Sequence, residues 1–323
     1  MARTRYASDP GLIARMGATM FLMGLLFVGF GTAIVVLIDL YAHRHGGTTS
    51  PDVLIIFAAL IGVGTAAASY YWSDKIALRT SGARLVTPQD GPDAARLHAI
   101  VDRLCALADM PKPRVAIAPT SMPNAFATGR SSKVAVVCAT RGILAKLDDR
   151  ELEGVLAHEM SHVAHRDVAV MTVASVLGII AALMVRFAFY SELFGGGGRG
   201  RGGNQNQNGL LILPIMVLSM LVYAISFLLI RMLSRYRELS ADRSGALLTG
   251  QPSALASALV KVTGDMGKIP VKDLRAAEPL NAFFFAPALA VRGQQSLATL
   301  FSTHPPLKKR LAQLEKISQQ LSK

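Results

Sequence analysis

The sequence predicts a mainly helical membrane protein that also carries a soluble α+β part with a small sheet, and three observations lead to that fold class. Hydrophobic residues make up 51% of the 323 positions against 17% charged, a balance unlike that of ordinary soluble domains. Many of the apolar residues are gathered in four long uncharged runs. Short β-branched runs bounded by Pro, Gly and Ser lie in one of the blocks between them.

Residues 17–38, 53–72, 168–185 and 210–230 contain no Asp, Glu, Lys, Arg or His. Their lengths of 22, 20, 18 and 21 residues match the roughly 20 helical residues that cross about 30 Å of hydrocarbon, so four transmembrane helices are expected. A cleaved signal peptide is the other reading of the first run. That run is long, lacks a small-residue cleavage site and is soon followed by another, all of which favour an anchor. Arg186 closes the third run and can snorkel to the interface, and Pro214 lies near the start of the fourth, where a proline disturbs a helix least.

The basic residues give an orientation. Arg3, Arg5 and Arg15 precede the first span; Lys75, Arg79 and Arg84 follow the second; Arg150 and Arg166 precede the third; Arg231, Arg235 and Arg237 follow the fourth. Positive residues collect on the inner side, which places both ends and residues 73–167 in the cytoplasm, with the chain in the inner (plasma) membrane. Arg186, Arg199 and Arg201, in the outward 186–209 connection, run against that placement. The formal charge of +13 comes without aromatic-basic interleaving, so no nucleic-acid partner is expected. Cys105 and Cys138 are the only cysteines, too few for a disulfide framework, and read as small core residues.

Four segments follow: residues 1–72 with the first two spans, 73–167 as the first soluble block, 168–230 as a membrane hairpin, and 231–323 as the second soluble block. Inside the hairpin, "FGGGGRGRGGNQNQNG" (194–209) is too rich in Gly and Asn to bury a core and reads as a mobile linker. In the first block, Leu97, Ile100, Val101, Leu104 and Leu107 recur at helical spacing after the turn signal "DGPD". "RVAIA" (114–118) and "VAVVC" (134–138) read as strands, "SMPNAFATG" (121–129) as an irregular or edge strand between them, and the chain turns helical from Thr140. The stretch "LDDRELEGVLAHEMSHVAHRD" opens with Asp148 and Glu151 in capping-box spacing and contains no Pro, so its histidines lie on a helix.

His158, Glu159, Met160, Ser161 and His162 spell H-E-x-x-H. Positions i and i+4 share a helix face, so two imidazoles can converge on one ion. Zn²⁺ suits them best, because two neutral nitrogens and a carboxylate leave a fourth tetrahedral position for water. Glu159 lies about 100° round the helix from His158, within reach of that water without ligating. A third ligand is needed. His165 shares the face, but three ligands along one straight helix spread over about 10 Å, too far for bonds near 2 Å. His304 and a carboxylate of the second block remain. In "SRYRELSADRSG" (234–245), Glu238 and Asp242 stand at i and i+4. Glu238 can complete the ligand set while Asp242 fixes an imidazole tautomer, or Glu238 can simply pair with Arg235 or Arg237 on a wet face.

At these residues the chain resembles the membrane-embedded gluzincin peptidases, which include the HtpX-type heat-shock proteases and the CAAX prenyl endopeptidases. "PNAFATG", "GVLAHEMSHVAHRD", "SRYRELSADRSGA" and "STHPPLKKRLAQL" occur in that order, with two runs before the metal helix and two between it and Glu238. The resemblance implies a gluzincin-type zinc protease domain holding one Zn²⁺ per chain on His158, His162 and Glu238, with Glu159 as general base and Asp242 orienting His158. It also implies that Asn124, Ala125 and Phe126 belong to an edge strand that aligns an extended substrate, and that His304 and Arg310 lie near the scissile carbonyl. The expected partners are the lipid bilayer and protein or peptide substrates, above all misfolded or damaged membrane proteins handled under stress. A CAAX prenyl-type endopeptidase would use the same chemistry but generally has more spans. A catalytically silent membrane scaffold would have no need of Glu159 and Asp242.

Overall fold

Helices dominate the computed structural model, which describes residues 10–45, 51–195, 205–266 and 304–322. The chain divides into two units, one formed by residues 14–69 and 171–233 and the other by 1–13, 70–170 and 234–323.

The first unit is built from parts of four long helices: α1 (Pro10–His45), α2 (Pro51–Ser81), α6 (Asp167–Gly195) and α7 (Gln205–Thr249). Phe30 and Ile34 of α1 pack with Leu177, Ile180, Ala181 and Met184 of α6 and with Ile215 and Val222 of α7. The opposite faces leave Phe21, Leu25, Val28, Val217 and Leu221 about half exposed or more. So much bare apolar surface is unfavourable in water and ordinary in lipid. Among the described residues three helices are long and apolar enough to cross a membrane, at Ile13–Leu37, Asp167–Arg186 and Leu213–Thr249. The 53–72 run is helical, within α2, but is not one of the three, so a fourth crossing is not shown. The expected linker 194–209 overlaps both flanking helices. Phe194 and Gly195 finish α6, residues 205–209 begin α7, and 196–204 lie outside the described residues.

The second unit contains a four-stranded sheet in the order β1-β2-β4-β3, made by β1 (Arg84–Leu85), β2 (Arg114–Ala118), β3 (Ala125–Thr128) and β4 (Val136–Thr140). β2 and β4 are parallel, and β1 and β3 flank them antiparallel, so β3 is an edge. β4 begins two residues later than its β-branched run suggested, because the Val134 N–H turns back to the Ser131 carbonyl at 3.1 Å. It ends at Thr140, whose hydroxyl accepts from the Ile143 N–H at 3.2 Å and so caps α4 (Arg141–Lys146).

One face of the sheet meets α3 (Pro92–Ala108) and α5 (Asp149–Ala164), whose Leu97, Val101, Leu104, Leu152, Val155 and Leu156 are buried with Val137 and Ala139. The other face packs Phe126, Val136 and Cys138 against Ala77 of α2. Both cysteines are free and buried, and burial pushes the thiols of Cys105 and Cys138 up to about 11 and about 12. They are inert core residues.

α5 starts as its sequence requires: Asp148 accepts from the Glu151 N–H at 2.9 Å, and the Glu151 carboxylate accepts from the Asp148 N–H at 3.1 Å. Arg96 of α3 fixes its approach, donating to the Leu144 and Leu147 carbonyls at 2.8 and 2.7 Å and to Asp149 at 2.6 Å. Those carbonyls close α4 and would otherwise lack helical partners. α8 (Pro252–Met266) crosses α5 at Gly154, where a Cβ would lie 3.2 Å from the Leu255 backbone. α9 (Leu307–Leu321) adds Leu314 and Ile317 to the same core.

Candidate metal centre

His158 and His162, one turn apart on α5, bring their Nε2 atoms to 3.3 Å of each other. Glu238 of α7 faces both, with Oε2 3.6 Å from His158 Nε2 and Oε1 3.4 Å from His162 Nε2. Three atoms bound tetrahedrally to one ion at about 2.1 Å would lie roughly 3.4 Å apart, so this triangle has the size of one face of a zinc coordination tetrahedron. α7 comes this close because residue 245 is glycine: a Cβ there would lie 2.9 Å from the His158 nitrogen. His158, Glu159 and Glu238 are all buried.

Each imidazole is held from behind. His158 Nδ1 lies 2.9 Å from Asp242 Oδ1, and Arg310 of α9 grips that carboxylate with Nε at 2.8 Å and Nη2 at 2.6 Å. His162 Nδ1 lies 2.5 Å from Asp167 Oδ2, and Arg237 Nε is 2.9 Å from the same oxygen. A carboxylate only accepts, so both imidazoles hold a proton on Nδ1, which leaves Nε2 as the inward atom that can ligate a metal once its own proton is displaced.

Charge gives an independent test of fit. Glu159, Asp167, Glu238 and Asp242 are all buried, and two guanidiniums, Arg237 and Arg310, pair with them. With the carboxylates ionised and the imidazoles neutral, two negative charges are left over, which one dication balances. The field already favours added positive charge at the histidines. Burial opposes an imidazolium at His162, yet Asp167 and Glu238 outweigh it and push its pKa up to about 10. His158 is raised in the same sense: burial opposes, and hydrogen bonding to Asp242 and Glu238 prevails.

Glu159 stands beside the triangle. Burial raises its pKa, partly offset by the two imidazoles, and its Oε2 accepts from the Ala127 N–H at 3.2 Å. That contact shows which residues form the outer edge of β3. The Asn124 N–H donates to the Thr140 hydroxyl and its carbonyl accepts from the Thr140 N–H, both at 2.9 Å. By the two-residue repeat of an antiparallel ladder, Phe126 also faces β4, opposite Cys138, while Ala125 and Ala127 turn outward. Of the expected edge residues Asn124, Ala125 and Phe126, only Ala125 turns its backbone outward, while those of Asn124 and Phe126 are directed at β4. The Phe126 side chain packs on the far face of the sheet.

His304 lies inside the centre, its Nδ1 donating to Glu238 Oε2 at 2.8 Å, and Arg310 reaches the site through Asp242. His165 is the C-cap of α5 and does not belong to the cluster of His158, His162 and Glu238. Sequence reasoning missed Asp167 and Arg237. Asp167 is five residues past His162, and on a straight helix that spacing would turn it about 140° away. The helix is not straight there. Arg166 adopts φ 55°, ending α5 and turning the first residue of α6 back towards His162. Arg237 carried one signal, its place beside Glu238, but was read only as a surface partner.

Comparison with known proteins fits this geometry. Residues 92–318, which include every residue of the centre, match the family model described as Peptidase family M48. The chain belongs to peptidase family M48. This M48 peptidase is 52% identical over 319 residues to Protease HtpX homolog 1 of Streptomyces coelicolor, covering 99% of this chain and 97% of that one. It is 46% identical to a Protease HtpX homolog of Moorella thermoacetica, covering 99% and 98% of the two chains. Among solved structures it is similar to Ste24p of S. mikatae, with TM-score 0.51 and 18% identity over 93% of this chain and 66% of that one, a likeness of fold alone. The M48 chain is thus a membrane metalloprotease, and the resemblance to the HtpX type holds.

Proposed function

We propose that this M48 chain is a zinc endopeptidase with four transmembrane helices, the 53–72 run included. In this reading its catalytic unit faces the cytoplasm from the plasma membrane and cleaves extended segments of misfolded or damaged membrane proteins. The observation that carries the reading is the ligand-sized triangle of His158, His162 and Glu238, with Glu159 beside it and the edge of β3 bonded to Glu159.

His158, His162 and Glu238 hold the ion, and Asp242 keeps His158 in the tautomer that directs Nε2 inward. When bound, zinc supplies a Lewis acid and lowers the pKa of its water towards about 7. Glu159 takes the proton of the attacking water and returns it to the leaving amine. An extended substrate pairs with β3 through Ala125 and Ala127, and one of its carbonyl oxygens competes with Glu159 as acceptor for the Ala127 N–H. His304 holds the Glu238 carboxylate from one side, and Arg310 acts through Asp242, to which two of its nitrogens are committed.

The test uses wild type and Glu159→Gln purified in detergent, stripped with EDTA and reloaded with zinc. Glu159→Gln should bind zinc as wild type does and cleave casein roughly 10²–10⁴-fold more slowly. A Gln variant that cleaves at the wild-type rate would remove Glu159 from the mechanism. Zinc binding with no cleavage of casein or of the chain itself would leave a silent scaffold.

A further inference from the structure

We propose that Asp167 and Arg237 form a positioning pair for His162 that controls how tightly the centre holds its metal. This rests on the reading of His158, His162 and Glu238 as the ligands. Asp167 is 3% exposed in its side chain and Arg237 12%, so the pair is largely sealed from water. Asp167 Oδ2 touches both His162 Nδ1, at 2.5 Å, and Arg237 Nε, at 2.9 Å.

Three features separate this from an acidic residue that merely starts a helix. The first is the parallel with the other ligand. Arg310, Asp242 and His158 form the same sequence of contacts, so each imidazole leans on an aspartate that leans on an arginine. The second is the state of the carboxylate: Asp167 Oδ1 is buried and has no hydrogen-bond partner among the described residues. Leaving a buried acceptor unpaired is unfavourable, and packing alone would not favour it. The third is the backbone. Arg166 takes the left-handed conformation, unusual for a non-glycine residue, at the turn where Asp167 meets His162.

The pair acts through His162. Asp167 holds Nδ1 as the nitrogen that keeps its proton and so turns Nε2 inward, and Arg237 holds Asp167 in place. Because Arg237 directly precedes Glu238, the pair also ties the third ligand's helix to the second ligand.

The experiment measures zinc affinity of the full chain in detergent by competition with a chromophoric chelator, alongside thermal unfolding of the metal-free forms. Asp167→Ala should weaken zinc binding about 10- to 100-fold. Asp167→Asn, which can still accept from Nδ1–H without the charge, should fall between Ala and wild type. Arg237→Gln should weaken binding by a smaller factor, and adding it to Asp167→Ala should change little further. A helix-starting role alone predicts the opposite pattern: metal-free unfolding temperatures fall in Asp167→Ala while zinc affinity stays at the wild-type value in all three variants, which overturns the proposal. If Asp167→Ala does not fold, Asp167→Asn and Arg237→Gln decide between the same outcomes. Should wild type itself bind no zinc in this assay, the metal-site reading fails and the positioning role falls with it.

Discussion

The two imidazoles of the centre are held alike by parts of the chain that lie very differently in the sequence. Both of His158's supports are remote: Asp242 on α7 and Arg310 on α9. His162 has one near support, Asp167, and one remote, Arg237. The remote aspartate was the legible one and the near aspartate the hidden one. Sequence distance was therefore not the obstacle. Asp242 shares a regular helix with Glu238, so i and i+4 spacing places the two on one face. Asp167 lies beyond a break that depends on the backbone angle of one arginine, which no periodicity reports.

The comparison predicts unequal penalties. Arg310 is almost fully buried, its side chain 2% exposed, whereas Arg237 keeps 12% and a route to water. Asp242→Ala strands a buried guanidinium and should cost the metal-free protein about 3–5 kcal/mol, read from its thermal unfolding. Asp167→Ala should cost clearly less. Equal losses would mean that the two supports are not graded by burial.

A second contrast is steric. On the His158 side α7 touches the α5 backbone, with the missing Cβ of Gly245 only 2.9 Å from the His158 nitrogen. Gly245→Val must push the helices apart, at a cost of about 1–3 kcal/mol, and should weaken zinc binding because Glu238 moves with α7. Unchanged zinc affinity would show that Glu238 follows the ion independently of that contact.

The fold was legible wherever local chemistry decides it. The capping box at Asp148 and Glu151 marked the start of α5 correctly, and "RVAIA" coincides with β2. Errors arose where tertiary pairing decides. The turn at Ser131 delays β4, and the parity of its ladder with β3, invisible before pairing is known, leaves only Ala125 of the expected Asn124, Ala125 and Phe126 with its backbone at the free edge, beside Ala127. The ligand triangle was half legible. H-E-x-x-H announced two ligands through helical spacing, while Glu238 needed the family resemblance, since spacing alone allowed an ion pair with Arg235 or Arg237.

Titration sharpens the His162 side. Although burial disfavours its charged form, Asp167 and Glu238 push its pKa up to about 10. A raised pKa means that the metal-free chain holds this proton throughout the neutral range, and ligation must displace it. Zinc affinity should thus fall as pH is lowered, by about tenfold per unit for each proton displaced between about pH 8 and pH 6. Calorimetry in buffers of different ionisation enthalpy should register the released proton, and an affinity that does not vary over this range would contradict the assignment.

The central claim is that one ion is shared by two imidazoles of α5 and one carboxylate of α7. Its most direct test is zinc content after equilibration of wild type and Glu238→Ala against the same chelator-buffered zinc, with folding of both confirmed by circular dichroism. One zinc per chain in wild type and almost none in folded Glu238→Ala is the predicted result. A folded Glu238→Ala protein that keeps one zinc per chain at wild-type affinity would contradict it.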